Sequence, residues 1–464
     1  MSTEQLKREL GRLGDQATVA DVPDDMFARA QRARRRDRLV ALAAVVVVIG
    51  LVGGLAAWLP GRVEPDPATG GRGAVPDHIH LVPDRLTMRQ GDDGWSKDHL
   101  TSWHDVGAAA AAYVSEDGLP VVIGANDGGY HLLDLPEFAA NNPYVAHGLH
   151  QGELALSLSP DGRQLAYTYA EFGPEAESEP IPSGIRVLDL VSGTLREVPI
   201  RGGEGVVVAS IRWSPNGAWM VWSGYRQDSW TKMSMGGSTL VAGVVPPAGT
   251  ASVAIPPFRG NTRVSVAVSD AGEVSVVGDS ERYVDRGDLR GDRRPLPTRR
   301  SVTIGASYVG DILYDLRVSN DGTEFRLDAY RSSHTRVRLP RHLDGRAVVP
   351  LGWVSASHFI ARVGTSGDAS NPWSLTDLAL IGVGDDASYR VVGRLDEGVP
   401  ALSLANDLVT EGRPTVHRPE PDWPWSGTRI SLTIGLGVAV LLSLLAGTRW
   451  WWRRGHAAGQ ANAK

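Results

Sequence analysis

The 464-residue sequence contains no cysteine. This excludes disulfide bonds, cysteine-ligated zinc, iron–sulfur clusters and thiol nucleophiles. Lysine is scarce as well, since only Lys7, Lys97, Lys232 and Lys464 stand among 47 basic residues. We interpret the arginine excess as the mark of a GC-rich genome, and we expect the fold to be held by packing and hydrogen bonds.

Motifs of known catalytic mechanics are also missing. The sequence has no phosphate-binding glycine loop followed by lysine, no His-Glu-x-x-His helix and no Gly-x-Ser-x-Gly nucleophile elbow. We therefore expect neither enzymatic activity nor a cofactor. The competing interpretation, a hydrolase or lyase, would need a group of carboxylates or histidines at one site, and the sequence does not assemble one.

Long apolar runs occur near the two ends of the chain. Residues 39–59 carry no charged side chain, and residues 430–447 form a second run. About 20 apolar residues cross the hydrocarbon core of a bilayer as a helix, so both runs are predicted to be transmembrane helices. The first run could instead be a cleaved signal sequence, but the 38 residues before it exceed the usual length of such a leader.

Arginines flank each run on the side of the nearer chain end. They are Arg34, Arg35 and Arg36 before the first run and Arg449, Arg453 and Arg454 after the second. Positively charged flanks stay in the cytoplasm, so both termini are expected there and residues 61–427 outside. The sequence thus predicts a two-pass plasma-membrane protein whose first partner is the lipid bilayer.

The region between the two runs is acidic. The whole chain has a net charge of −6, and removing its two basic tails leaves about −12 for the remainder. Such a surface repels nucleic acid, so we expect the partner outside the membrane to be an unknown protein or polymer and not a nucleic acid.

Short turns that end in glycine recur through this acidic region. The two clearest turns contain Asp161–Gly162 and Asn216–Gly217, and each follows Ser-Pro. A third turn contains Asp321–Gly322. Proline fixes φ and glycine accepts a positive φ, which is what a tight hairpin turn requires. Together with the weaker copies at Gly118 and Gly272, these glycines recur every 44 to 55 residues, about the length of one four-stranded propeller blade.

The spacing predicts a mainly β protein built of four-stranded blades, a β-propeller flanked by the two predicted transmembrane α-helices. These turns resemble the Ser-Pro-Asp-Gly repeats of TolB-type and WD-repeat-like β-propellers. The resemblance covers residues 95–410 and implies a closed, six- or seven-bladed β-propeller that binds a partner on a face or in its central channel. A pair of β-sandwiches is the alternative, and the glycine- and proline-rich residues 235–257 are expected to blur one blade.

The remaining boundaries follow from these assignments. They are a cytoplasmic tail at 1–38, a helix at 39–59, a linker and the start of the domain at 60–94, a second linker at 411–429, a helix at 430–447 and a second tail at 448–464.

Two polar groupings stand out within the domain. His78 and His80, near His99, His104 and Asp105, point the same way on an extended strand and can share a metal. Surface histidines are the simpler interpretation, and we expect no metal site. Arginines between residues 282 and 300 alternate with acidic residues, which predicts a solvated loop; contact with the outer leaflet or an anionic wall polymer is the alternative.

The N-terminal tail carries large apolar residues without a core to bury them. These are Leu6, Leu10, Leu13, Met26 and Phe27. Two short amphipathic helices of this kind are expected to fold on a partner. The layout resembles that of membrane-bound anti-sigma regulators of high-GC Gram-positive bacteria, which implies a cytoplasmic sigma factor as partner. The alternatives are an inert tail and a passive extracytoplasmic scaffold.

Overall fold

A computed structural model describes residues 4, 7, 12, 73–87, 100–101, 106–115, 118–138, 156–170, 183–202, 206–226, 239–258, 264–278, 281–285, 291–295, 301–319, 324–331, 333–364, 375–399, 402–421, 423, 435 and 437–449. The chain divides into two compact units, residues 1–66 and 67–464. In the first unit the three described residues, Glu4, Lys7 and Arg12, are helical.

The described strands form six sheets. The first strand, β1, is His78–Ile79. Blade 1 contains β2 (Ala109–Val114), β3 (Pro120–Gly124), β4 (Tyr130–Leu132) and the last strand, β25 (Leu402–Leu404). Blade 2 contains β5 (Leu156–Leu158), β6 (Gln164–Ala170), β7 (Ser183–Asp189) and β8 (Leu195–Pro199). Blade 3 contains β9 (Val206–Trp213), β10 (Met220–Arg226), β11 (Thr239–Val245) and β12 (Val253–Phe258).

The other three sheets follow in chain order. Blade 4 contains β13 (Val264–Val268), β14 (Val274–Gly278), β15 (Glu281–Asp285) and β16 (Asp292–Pro295). Blade 5 contains β17 (Ser301–Val309), β18 (Ile312–Ser319), β19 (Phe325–Tyr330) and β20 (His334–Val337). Blade 6 contains β21 (Ala347–Trp353), β22 (His358–Gly364), β23 (Asp377–Gly382) and β24 (Ser388–Leu395). Helical turns lie at Asp84–Thr87, Arg341–Leu343, Gly384–Asp386 and Asn406–Leu408.

The six blades close into one ring. The innermost strands contact one another in the order β5, β9, β13, β17, β21 and β25, and β25 returns to β5. The first blade is completed by the last strand of the ring, because β25 pairs with β2 in antiparallel fashion. The predicted propeller is therefore confirmed with six blades, and a pair of β-sandwiches is ruled out.

A second closure joins the start of the ring to its last blade. β1 pairs in parallel with the outer strand β24, and Pro76 forms a parallel bridge with Val416. We call residues 75–82 the strap. It lies in the range expected to be a linker and the start of the domain, and it is held on both sides by backbone hydrogen bonds.

The core is divided among the junctions between blades. Each blade buries both faces, so one apolar cluster lies at each of the six junctions in the described chain. The junction of blades 2 and 3 holds Trp222, which is 1% exposed and donates from Nε1 to Ser252 Oγ at 2.6 Å. Trp222 therefore belongs to the core, whereas Trp213 and Trp219 are partly exposed.

The junction of blades 4 and 5 is built differently. Its apolar cluster has only four buried residues in the described chain, and charged side chains fill the rest. Arg282 from β15 is 9% exposed, and its guanidinium lies 3.9 Å from the centre of the Tyr330 ring of β19. The expected solvated arginine loop is therefore wrong for Arg282, because its strand packs against the next blade.

The glycine turns have the predicted geometry in the best-matching repeats. Gly162 has a φ of 73° and Gly217 a φ of 72°. Ser159 Oγ accepts a hydrogen bond from the Gln164 N–H and donates to Asp161. These turns join the first two strands of blades 2 and 3, as hairpins should.

Other copies of the motif occupy a different place in the blade. Gly118 lies between β2 and β3, and Asp321 and Gly322 lie outside the described residues between β18 and β19. Gly118 thus joins the second and third strands of blade 1, and Asp321 and Gly322 stand in the sequence between the second and third strands of blade 5. In the glycine- and proline-rich range 235–257, the described residues begin at 239 and include β11 and most of β12, which pair as outer strands with one register shift between Leu240 and Ala242. These described residues therefore do not blur the blade.

The predicted membrane segments are described only in part. Residues 39–59 lie outside the described residues, whereas residues 435 and 437–449 are helical. Within the described part of the chain, no helix combines the length and apolar character that a membrane crossing needs. Large apolar side chains of this C-terminal helix are exposed, among them Leu442 at 59% and Leu444 at 54%.

Candidate functional site

A cavity of about 280 Å³ lies in the central channel. All six innermost strands contribute to its wall: β5, β9, β13, β17, β21 and β25. Because these strands are fixed by the neighbouring blades on both sides, the cavity is preformed. A channel site was one of the two expectations that the propeller resemblance implied.

Arg212 is the notable charge in this cavity. It lies near the end of β9 and lines the wall next to Trp213. Its side chain keeps some exposure to the cavity, yet surrounding protein displaces enough water that burial lowers its pKa. Among the described residues no carboxylate perturbs this pKa, and none forms an ion pair with Arg212. The channel therefore contains a cation that its described surroundings do not neutralise.

Aromatic rings form one side of the same wall. Trp353 from β21 packs against Tyr314 with 4.2 Å between ring centroids and against Phe359 with 5.4 Å. Trp213 lies elsewhere on the wall, where its Nε1 donates to the Ser157 carbonyl at 3.2 Å. These contacts fix the rings in place, so the cavity combines rigid apolar surfaces with the Arg212 guanidinium. Asp407 also lines the wall but is exposed and does not perturb the pKa of Arg212.

Asn406 adds an unused hydrogen-bond acceptor. Its Oδ1 is buried and has no hydrogen-bond partner among the described residues. The amide fits there because position 352 is glycine, where a Cβ would lie 2.0 Å from Asn406 Nδ2. A buried polar atom without a partner costs free energy, and a ligand donor could satisfy it.

The two strap histidines do come together with an acid. His78 Nε2 lies 2.7 Å from Asp396 Oδ1, and His80 Nδ1 lies 3.5 Å from Asp396 Oδ2. Burial is the main reason that the pKa of His80 is lowered. The sequence grouped these histidines with His99, His104 and Asp105, which lie outside the described residues, and it did not indicate Asp396.

Serines, a histidine and a glutamate meet at the first turn of blade 6. Ser357 Oγ lies 3.1 Å from His358 Nδ1, and Glu411 Oε1 lies 3.1 Å from the same nitrogen. A nucleophile–base–acid relay needs the serine and the acid on opposite ring nitrogens. This group does not have that arrangement, so the expectation of a non-enzymatic protein stays a prediction.

The other predicted site residues are distributed as follows. Asp161, Gly162, Asn216 and Gly217 lie in hairpin turns, and Arg449 is exposed in the C-terminal helix. Outside the described residues lie Leu6, Leu10, Leu13, Met26, Phe27, Arg34, Arg35, Arg36, Asp321, Gly322, Arg453 and Arg454. The partner-binding tail and the topology arginines therefore remain predictions.

Sequence reasoning missed Arg212 and the aromatic wall. Arg212 stands between Ile211 and Trp213, so strand alternation alone places it opposite a buried face, where an arginine is ordinarily solvated. Only the closure of the ring turns that position toward an enclosed channel. No local signal in the sequence could have identified it.

No family model matches this chain, and no curated protein matches it. The fold is similar to a TolB-type protein from Agrobacterium tumefaciens (16% identity over 54% of this chain and 90% of that one, TM-score 0.34). It is also similar to virginiamycin B lyase from Staphylococcus aureus, with 13% identity over 65% of this chain and 93% of that one and a TM-score of 0.34. A third similar structure is dipeptidyl peptidase 4 from Porphyromonas gingivalis, with 10% identity over 62% of this chain and 45% of that one and a TM-score of 0.34. The chain thus spans less than half of the peptidase. The six sheets themselves establish the fold.

Proposed function

We propose that this chain is a membrane-anchored extracytoplasmic binding protein whose central channel receives a carboxylate-bearing group of its partner. The observation that carries the proposal is Arg212, which lacks an ion-pair partner among the described residues of the cavity. A desolvated guanidinium gains from pairing with a carboxylate, and the pair can form two parallel hydrogen bonds.

The size of the cavity limits what can enter. A volume of about 280 Å³ is just below the usual range for a whole small-molecule ligand. It fits one side chain or a chain terminus better, with the rest of the partner on the face of the ring. The aromatic wall favours an apolar group beside the acid, such as the last residues of a peptide with a free C-terminus.

A titration of the full chain in detergent micelles tests this proposal. Peptides that end in an aromatic residue are compared as the free acid and as the amide, with tryptophan fluorescence as the readout. We expect the acid to bind and Arg212→Gln to weaken it by roughly tenfold to a hundredfold, because hydrogen bonds to a charged group contribute about 1.5–3 kcal/mol.

A matched control is available in blade 2. Burial also lowers the pKa of Arg196, but this residue lies on the outer strand β8, where it donates to the Gly249 carbonyl. Arg196→Gln should leave binding unchanged, and Arg212→Lys should retain part of it. Equal binding of acid and amide peptides by the wild-type chain would refute the channel proposal.

Membrane anchoring through residues 39–59 and 430–447 is part of the same proposal. It is supported by the length of both apolar runs, by the flanking arginines and by the exposed leucines of the C-terminal helix. Alkaline phosphatase folds only outside the cytoplasm, so a fusion after Lys464 should be inactive and an insertion at residue 70 active. An active fusion at Lys464 would contradict the two-pass arrangement.

Inward reporting is proposed through the N-terminal tail. Each fully buried side chain of the size of Leu10 contributes about 1.5–3 kcal/mol, so several together can support micromolar binding of a cytoplasmic partner such as a sigma factor. Replacing Leu10 and Leu13 by Asp should abolish capture of that partner without altering membrane insertion. If residues 1–38 capture no specific protein, the passive scaffold becomes the better interpretation.

A further inference from the structure

His78, His80 and Asp396 form a group at the outer edge of blade 6. Each offers one ligand atom, and these three atoms all lie within 4.8 Å of one another. The two imidazole rings face each other at an angle of 35°, with 3.9 Å between their centroids. Both histidines point the same way because they are two positions apart on the extended strap.

The distances suit a small divalent ion. Bonds of about 2.0–2.1 Å to nitrogen and oxygen in a tetrahedron place neighbouring ligand atoms about 3.3 Å apart. His78 Nε2 lies 2.7 Å from Asp396 Oδ1, and His80 Nδ1 lies 3.5 Å from the other carboxylate oxygen, Oδ2, so each histidine is near this spacing from one oxygen of Asp396. Glu420 lines the same depression as His78 and His80 and can supply a further negative charge, while Arg394 and Arg418 also line it and oppose a cation.

The surroundings hold the ligands in place. The backbone N–H of His80 donates to the Tyr130 hydroxyl at 2.7 Å, and the Tyr113 hydroxyl donates to the backbone carbonyl of His80 at 2.9 Å. Asp396 Oδ2 accepts from the Leu81 N–H at 3.0 Å. The two contacts of His80 fix the backbone of the strap, and the Leu81 N–H orients the Asp396 carboxylate itself, as groups behind a metal ligand do. The side chains of His78 and Asp396 are 41% and 37% exposed, which leaves an entrance.

We propose that His78, His80 and Asp396 bind a divalent ion of the zinc type, which clasps the strap to the last blade. Two imidazoles and one carboxylate are the donor set that zinc favours when one position is left to water. The ligands are 318 residues apart in sequence, so the ion would join the two ends of the ring. This site is separate from the channel and does not depend on the function proposed for it.

Calorimetric titration with zinc chloride tests the proposal on the full chain, prepared without a histidine tag and stripped of metal with a chelator. We expect one ion per chain with micromolar or tighter affinity. His80→Ala and Asp396→Asn should each weaken binding at least tenfold. His417→Ala is the matched control, because this exposed histidine lines the same depression but pairs with Asp77.

Cobalt provides a second readout that does not depend on variants. Cobalt bound to two imidazoles and a carboxylate at low coordination number should give visible absorption in the wild-type chain, and zinc should remove it. Zinc should also slow proteolysis of the strap. Absence of stoichiometric binding, or binding that survives the double change His78→Ala and His80→Ala, would overturn the proposal. Retained peptide binding by the metal-free chain would leave the channel proposal intact.

Discussion

The Asp315 carboxylate is fully buried at the junction of blades 4 and 5, and its ionisation should control stability there. Its nearest cation is Arg317, whose Nη1 lies 3.5 Å from Oδ2. Its other oxygen, Oδ1, has no hydrogen-bond partner among the described residues. Burial raises the pKa of Asp315 to about 6, and the negative charge of Asp328 adds to this effect, while Arg317 opposes it.

The direction of the pH dependence follows from this raised pKa. The folded state holds the proton more tightly than the unfolded state, so the stabilisation is complete below pH 3.8 and is lost as the pH rises through about 6. The shift corresponds to about 3 kcal/mol in total, of which about 2 kcal/mol falls between pH 4.5 and 7.5. Asp315→Asn removes the titration with little change of shape.

Urea unfolding followed by tryptophan fluorescence measures the effect at several pH values. The stability of the wild-type chain relative to Asp315→Asn should fall by about 2 kcal/mol from pH 4.5 to 7.5. Asp311→Asn is the control, because this carboxylate is 64% exposed and pairs with Arg331 on the surface. If the stability of the wild-type chain relative to Asp315→Asn stays constant or rises with pH, the raised pKa is refuted and Arg317 keeps Asp315 charged.

Three further outcomes are expected. Trp222→Ala should cost about 3–5 kcal/mol in urea unfolding, and Trp222→Phe clearly less, because the aromatic ring of Trp222 fills the junction of blades 2 and 3. Gly162→Ala should destabilise more than Gly345→Ala: both have a φ of 73°, but a Cβ at 162 would lie 2.0 Å from the Ala109 carbonyl and one at 345 meets nothing within 4 Å. The strained backbone alone should lower the free energy of unfolding of each glycine-to-alanine variant by at least about 1 kcal/mol. Cutting the ring at Gly260, between blades 3 and 4, should give fragments that aggregate because it exposes strand edges, whereas two soluble, cooperatively unfolding halves would contradict the closed ring.

Local chemistry made part of this fold predictable. The turn at Asp161 and Gly162 depends on four neighbouring residues, so the sequence alone indicates a hairpin and, through its recurrence, a blade of the right length. The same reasoning failed to assign strands, because Gly118 forms an equally good turn one strand further along its blade. The glycine-turn pattern did not indicate blade 6, because the first turn of this blade contains Ser355 and Ser357 and no glycine.

The candidate sites depend on contacts that the sequence does not encode locally. His78 and Asp396 meet only because the strap pairs with β24 at the far end of the ring. Arg212 faces a cavity only because six strands converge on it. The burial of Arg282 likewise requires Tyr330 from the next blade, and its sequence neighbours are charged, which is why a solvated loop was the natural expectation.

The strap also determines how the ring would respond to tension. Val75 accepts a hydrogen bond from the Val416 N–H at 2.9 Å, and the Asp77 N–H donates to the Val416 carbonyl at 2.8 Å. The two segments run parallel, so pulling the N-terminal side of one and the C-terminal side of the other slides them past each other in shear. These hydrogen bonds then share the load instead of opening one after another. The strap would bear a force applied to both flanking segments, and the blades would be deformed only after the hydrogen bonds of the strap had broken.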